Sequence, residues 1–87
     1  MAKPVTPIVN LNGTSRESLV AGYVSAMEAI RKAQDALHAI HPHGRDYPGH
    51  DLTRFYAAMQ QSRERMRALD TMLADIEAMA VEVNEGR

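Results

Sequence analysis

Mostly apolar side chains recur along the second half of the chain at alternating steps of three and four residues. The series is Phe55, Met59, Ser62, Met66, Leu69, Leu73, Ile76, Ala80 and Val83. This alternation is typical of a helix that packs along a partner helix in a shallow supercoil. It predicts a helix over 51–84, with Asp51 as the N-cap and Gly86 as the stop signal.

An earlier helix is predicted over 14–40. Thr14 and Glu17 match a capping box at its start, and Pro42 ends it by disfavouring helical geometry in His41. Its apolar face comprises Val20, Tyr23, Met27, Ile30 and Leu37. A second strip, which we expect to widen this face, comprises Val24, Ala33, Ala36 and Ile40.

The first thirteen residues predict an extended arm, because Pro4 and Pro7 favour extended backbone. Its apolar residues, Ile8, Val9 and Leu11, indicate that the arm lies against another surface. The connection over 41–50 is short relative to the helices, which favours an antiparallel pair. The predicted fold class is therefore all-α: an antiparallel two-helix hairpin over 14–87, preceded by the arm over 1–13.

The longer helix has a second apolar row. Met72 and Met79 lie beside the main series, together with Leu69. One partner helix cannot cover both rows, so we expect a homo-oligomer that buries this patch between chains. The alternative is that the arm covers the patch within one chain.

Composition narrows the possible functions. A chain of 87 residues is one small domain, and without cysteine it has neither disulfides nor thiolate chemistry. The net charge of -1 argues against binding to a nucleic-acid polymer. No apolar run is long enough for a signal peptide or a membrane span, so we expect a cytoplasmic protein with no membrane partner.

Charge is distributed unevenly along the predicted hairpin. Basic residues gather around the connection and in the first half of the second helix: Arg45, Arg54, Arg63, Arg65 and Arg67. Acidic residues gather at the far end: Asp70, Asp75, Glu77, Glu82 and Glu85. A basic half suits a small anionic ligand. We interpret Arg63 and Arg65 as a solvated helix face, and assign Arg45, in a stiff loop, to binding.

Metal binding and catalysis have weaker support. Three loop histidines, His41, His43 and His50, could ligate a metal with Asp46 or Asp51, but their spacing matches no zinc pattern. A triad drawn from Ser15 or Ser18, a histidine and an aspartate has nothing that brings its members together. We therefore predict neither an enzyme nor a metal or other cofactor.

Binding of a small phosphorylated ligand has better support. Amides, hydroxyls and backbone donors gather at the start of the first helix, a natural phosphate site: Asn10, Asn12, Gly13, Thr14 and Ser15. In the loop, Arg45 suits a phosphate and Asp46 a ribose hydroxyl or base N–H. Tyr47, with Phe55 or Tyr56, suits stacking.

The group at the start of the first helix and the group in the loop lie about 39 Å apart along the helix. They can meet only if the arm folds back or a second, antiparallel chain brings its own capping residues.

Two segments carry a resemblance to known proteins. Asn10–Ser15, followed by a helix, and Pro42–Tyr47, followed by a second long helix, resemble a group of small uncharacterised phage and prophage proteins. In architecture alone, the chain is similar to phage-encoded sponge proteins. Those are helical oligomers that sequester nucleotide signals of bacterial immunity, such as cyclic nucleotides and cyclic ADP-ribose derivatives. The resemblance implies an anti-defence protein that binds such a nucleotide without catalysis. The alternative is an interaction module that inhibits a host or phage protein through its Met-rich face.

Overall fold

A computed structural model describes residues 3–47, 49 and 52–86. Most of them lie in two α-helices, α1 over Arg16–Ala39 and α2 over Leu52–Asn84, with a 3₁₀ turn over Gly44–Asp46 between them. Over these described residues there is no strand, which confirms the all-α class.

The start of α1 lies two residues later than predicted. Ser15 is the N-cap, with extended backbone, and its Oγ accepts a hydrogen bond of 3.2 Å from the backbone N–H of Ser18. Thr14 was the wrong choice of cap, although both residues are of a good capping type. Glu17 remains in the first turn, where its negative charge interacts favourably with the positive end of the helix dipole.

Three side-chain contacts give the relative direction of the helices. Arg16 Nε donates to the carbonyl oxygen of Val83 at 3.0 Å, and Gln34 Nε2 donates to Asp70 Oδ1 at 2.7 Å. At the other end, His41 Nδ1 lies 3.2 Å from Ser62 Oγ. In these three contacts, positions on α2 fall as positions in and after α1 rise.

The predicted contact rows face the partner helix. Every member of the main α2 series from Phe55 to Val83 is half-buried or buried. The α1 row from Val20 to Leu37 is half-buried, and Gln34 fills the gap in it between Ile30 and Leu37. The prediction for the second α1 strip is wrong within one chain, because all four of its members, Val24, Ala33, Ala36 and Ile40, are exposed.

The arm lies across the end of α2. Thr6 Oγ1 donates to Glu82 Oε2 at 2.9 Å, and Pro4, Thr6 and Val9 are half-buried. Ile8 and Leu11 are exposed, so much of the arm's apolar surface has no cover within the chain. The helix beneath ends where the sequence predicted: Gly86 has a positive φ of 76°, and its N–H donates to the Val83 carbonyl oxygen at 3.1 Å.

The resulting molecule is long and thin. It measures 64 × 23 × 16 Å, with a radius of gyration of 18.5 Å. A compact domain of this length has a radius of gyration of about 12 Å. Of the residues described, only Ala80 and Val83 are buried, and both lie near the end of α2 that Thr6 and Arg16 contact. Two helices alone leave most of the described residues exposed.

Candidate functional site

The predicted phosphate-binding residues at the start of α1 form an exposed, locally bonded turn. We call this group, Asn10, Asn12, Gly13, Thr14 and Ser15, the capping segment; all five are exposed. Asn10 Oδ1 accepts from the backbone N–H of Asn12 at 3.0 Å, and the Asn10 carbonyl oxygen accepts from Gly13 at 3.3 Å. The Asn10 side chain and Ser15 Oγ thus already accept hydrogen bonds within the segment, while their surface remains open to a ligand.

The predicted loop residues gather around an aromatic cluster. The ring centroids of Tyr47 and Phe55 are 5.5 Å apart, and those of Phe55 and Tyr56 are 5.8 Å apart. Tyr47 and Phe55 are half-buried, whereas the Tyr56 side chain is 62% exposed. Such tilted contacts stabilise aromatic pairs. Tyr47 therefore has a packing role in the hairpin, and Tyr56 offers the most open ring.

The 3₁₀ turn presents the charged loop residues. Its backbone is closed by hydrogen bonds from Asp46 N–H to the His43 carbonyl oxygen at 3.0 Å and from Tyr47 N–H to that of Gly44 at 3.1 Å. Arg45 and Asp46 are both exposed on it. The turn holds the backbone of these residues beside the aromatic cluster and leaves their side chains accessible.

The capping segment and the loop cluster do not meet within one chain. They lie at opposite ends of α1, whose 24 residues span about 36 Å. The arm does not bridge them. Thr6 contacts Glu82, and Lys3 lines a groove with Ala74 and Glu85, so the arm stays over the second half of α2. Of the two predicted routes to a joint site, folding back of the arm is therefore wrong, and a second chain is the route that remains.

An interhelical groove near the loop was not anticipated from the sequence. It has a volume of about 480 Å³ and is lined by Leu37, His38, His41, Ser62, Arg63, Met66, Arg67 and Asp70. Its lining combines the apolar Leu37 and Met66 with two arginines and one aspartate. The i, i+4 spacing that brings Arg63 and Arg67 to one side of α2 is visible in the sequence. Their position beside His38 and His41 depends on the pairing of the helices.

The loop histidines form no metal cluster in the part of the chain that the structure describes, where no three potential ligands lie close enough to hold an ion. His41 instead contacts Ser62, and His43 is exposed. His50 and Asp51, two of the candidate ligands, lie outside the described residues, as does the predicted capping role of Asp51 for α2.

None of the described helices is long and apolar enough to cross a membrane. No family model, no curated protein and no solved structure matches this chain. The resemblance to phage proteins therefore stays a prediction.

Proposed function

We propose that this chain is a subunit of a helical homo-oligomer that binds and sequesters a small phosphorylated nucleotide without chemical conversion. In this proposal, the loop cluster of one subunit and the capping segment of another contribute to one site. Arg45, Thr14 and Ser15 contact phosphates, and Asp46 and Asn12 contact ribose or base edges. Tyr56, supported by Phe55 and Tyr47, stacks on the base.

The observation that carries the ligand class is the pairing of an open aromatic ring with exposed cationic groups at the loop end. Tyr56 is 62% exposed, and it follows Phe55, whose ring packs on Tyr47 beside the turn that presents Arg45. A guanidinium suits phosphate and an aromatic face suits a base. Arg63 and Arg67, which line the interhelical groove, add to the same attraction for anions.

The surface area supports the oligomer. The chain exposes 6666 Å². A compact monomer of the same mass, 9.6 kDa, exposes about 5,100 Å². The difference exceeds the roughly 800 Å² that each partner buries in an interface of standard size. Exposed apolar residues, among them Val5, Ile8 and Leu11 on the arm, supply surface for such contacts.

Isothermal titration calorimetry against a panel of cyclic nucleotides and ADP-ribose derivatives tests the ligand. We expect saturable heat with at least one of them, and loss of that heat in Arg45→Ala with unchanged helicity by circular dichroism. The matched control is Arg31→Ala, which removes an exposed arginine from α1 and should bind like the wild type. A folded wild-type sample that gives no heat with any of these nucleotides contradicts the proposed ligand.

The second candidate function is an interaction module for another protein. It is favoured by Met72, which is 46% exposed on α2 beside the half-buried Met79. Flexible methionine side chains adapt to many partner surfaces. Multi-angle light scattering separates the candidates. A mass of two or more times 9.6 kDa at micromolar concentration supports the homo-oligomer, whereas a stable monomer favours the second candidate.

A further inference from the structure

One face of α2 repeats like a helix contact but stays exposed beside the row that packs on α1, although Asp70 on it accepts a hydrogen bond from Gln34. It comprises Arg63, Arg67, Asp70, Ala74, Glu77 and Val81, at alternating steps of four and three residues, and all six are exposed. We call this set the outer stripe. At 100° per residue, it lies about a third of a turn around α2 from the row that contacts α1.

The charge of the outer stripe changes sign at its middle. Arg63 and Arg67 are basic and belong to the interhelical groove of about 480 Å³. Beyond Ala74 the character is acidic, where a second groove of about 500 Å³ is lined by Lys3, Ala74, Glu77, Ala78, Val81, Glu82 and Glu85. The two grooves follow one another along α2, and most of their charges are opposite in sign.

We propose that a second copy of this chain binds along the outer stripe in antiparallel orientation, with a two-fold axis passing near position 72. Arg67 and Glu77 lie five residues before and five residues after this position. Each Arg67 therefore faces Glu77 of the partner subunit, and Asp70 lies opposite Ala74 of the partner subunit. A small residue near the axis lets the two helices approach closely.

Charge complementarity selects the second copy and its direction. A parallel copy would set arginine against arginine and glutamate against glutamate, which is unfavourable. An antiparallel copy pairs both charged ends at once, as a two-fold interface requires. The excess surface of the monomer, roughly 1,500 Å² over a compact chain, is large enough to supply this interface.

This arrangement deepens the proposed function, since it rests on the oligomeric part of that proposal and names the contact. The antiparallel copy sets position 83, near the end of one α2, opposite position 61 in the first half of the other. The capping segment adjoins the end of α2, because Arg16 binds the Val83 carbonyl oxygen. The register therefore carries the capping segment of one subunit toward the loop end of its neighbour.

Charge reversal tests the register. Arg67→Glu and Glu77→Arg each place two like-charge pairs in the interface, and we expect each to weaken dimerisation at least tenfold in sedimentation equilibrium at low ionic strength. The double variant restores opposite charges and should recover dimerisation to within threefold of the wild type. Arg65→Glu makes the same charge change two residues away, off the outer stripe, and should leave dimerisation within threefold of the wild type.

Circular dichroism confirms that each variant keeps its helices before the masses are compared. Single reversals that dimerise like the wild type overturn the proposal, and so does a folded double variant that stays as weak as the single variants.

Cross-linking gives an independent readout, because the chain has no cysteine of its own. Ala74→Cys puts one thiol near the axis, and a short bis-maleimide should join the two copies in high yield. Ala68→Cys, on another side of α2, is the control and should cross-link few copies.

If light scattering shows oligomers but Ala74→Cys gives no cross-links, this interface is overturned and the proposed function still stands. A wild-type monomer overturns this interface and the oligomeric part of the proposed function, while nucleotide calorimetry still decides the ligand.

Discussion

The two ends of the hairpin contain the same helix pair but differ in packing. At the arm end, a third element lies over the helices, and the described residues there include Ala80 and the fully buried Val83. At the loop end, where only α1, α2 and their connection meet, no described residue is buried. A two-helix layer leaves an open side, so full burial requires a third layer. The arm supplies that layer at one end, and in our proposal a neighbouring subunit supplies it at the other.

The largest expected effect lies at the arm end. Val83→Ala removes two methyl groups from a side chain with 0% exposure and should lower the free energy of unfolding by about 2 kcal/mol. The matched control, Val24→Ala, makes the same change on α1 at a side chain that is 42% exposed and lies outside the outer stripe, and should cost less than about 0.5 kcal/mol. Urea unfolding at one fixed protein concentration measures both. Equal losses in the free energy of unfolding would mean that the arm end is no better packed than an exposed helix surface.

An intermediate effect is expected from the contact that joins the two helices at the arm end. Arg16 carries a positive charge to the C-terminal end of α2, where the Val83 carbonyl oxygen accepts both from its Nε at 3.0 Å and from the Gly86 N–H. Arg16→Met keeps much of the side-chain length and should cost about 1 kcal/mol. Arg31→Met, at an exposed position on α1, is the control. If the midpoint of thermal unfolding shifts by the same amount in both variants, the Arg16 contact does not stabilise the arm end.

The smallest effect is expected at the loop end. Ser62→Ala removes the 3.2 Å contact with His41 Nδ1 at a half-buried site that water reaches through the groove. Because water replaces the lost partner, we expect a loss below about 0.5 kcal/mol. Chemical denaturation measures it beside Val83→Ala. A loss as large as that of Val83→Ala would show that the loop end is as tightly packed as the arm end. That result would contradict the difference in packing between the two ends.

Two predictions based on local patterns agree with the structure, and a third does not. The three-four alternation identified the contact row of α2, because side-chain direction in a helix follows from backbone geometry alone. Gly86 ended α2 as predicted, since glycine adopts positive φ without steric cost. The cap of α1 was wrong by one residue, because Thr14 and Ser15 can both accept from an early backbone N–H and the local sequence does not rank them.

The candidate site was only partly readable from the sequence. The sequence identified Arg45, Tyr47, Phe55 and Tyr56 as unusual side chains in or beside the loop, and the three aromatic rings do gather there. It did not reveal that Arg63 and Arg67 border a groove with His38 and His41, because that depends on which α1 positions lie opposite them.

By itself, the sequence determined the helices, their contact rows and the residues that end them, since each depends on interactions within a few residues of the chain. Only the tertiary structure decided the path of the arm, the contact of Arg16 with α2 and the exposure of the second α1 strip. Each of these is fixed by groups far apart in sequence, and the free energy of their contacts depends on how the helices align.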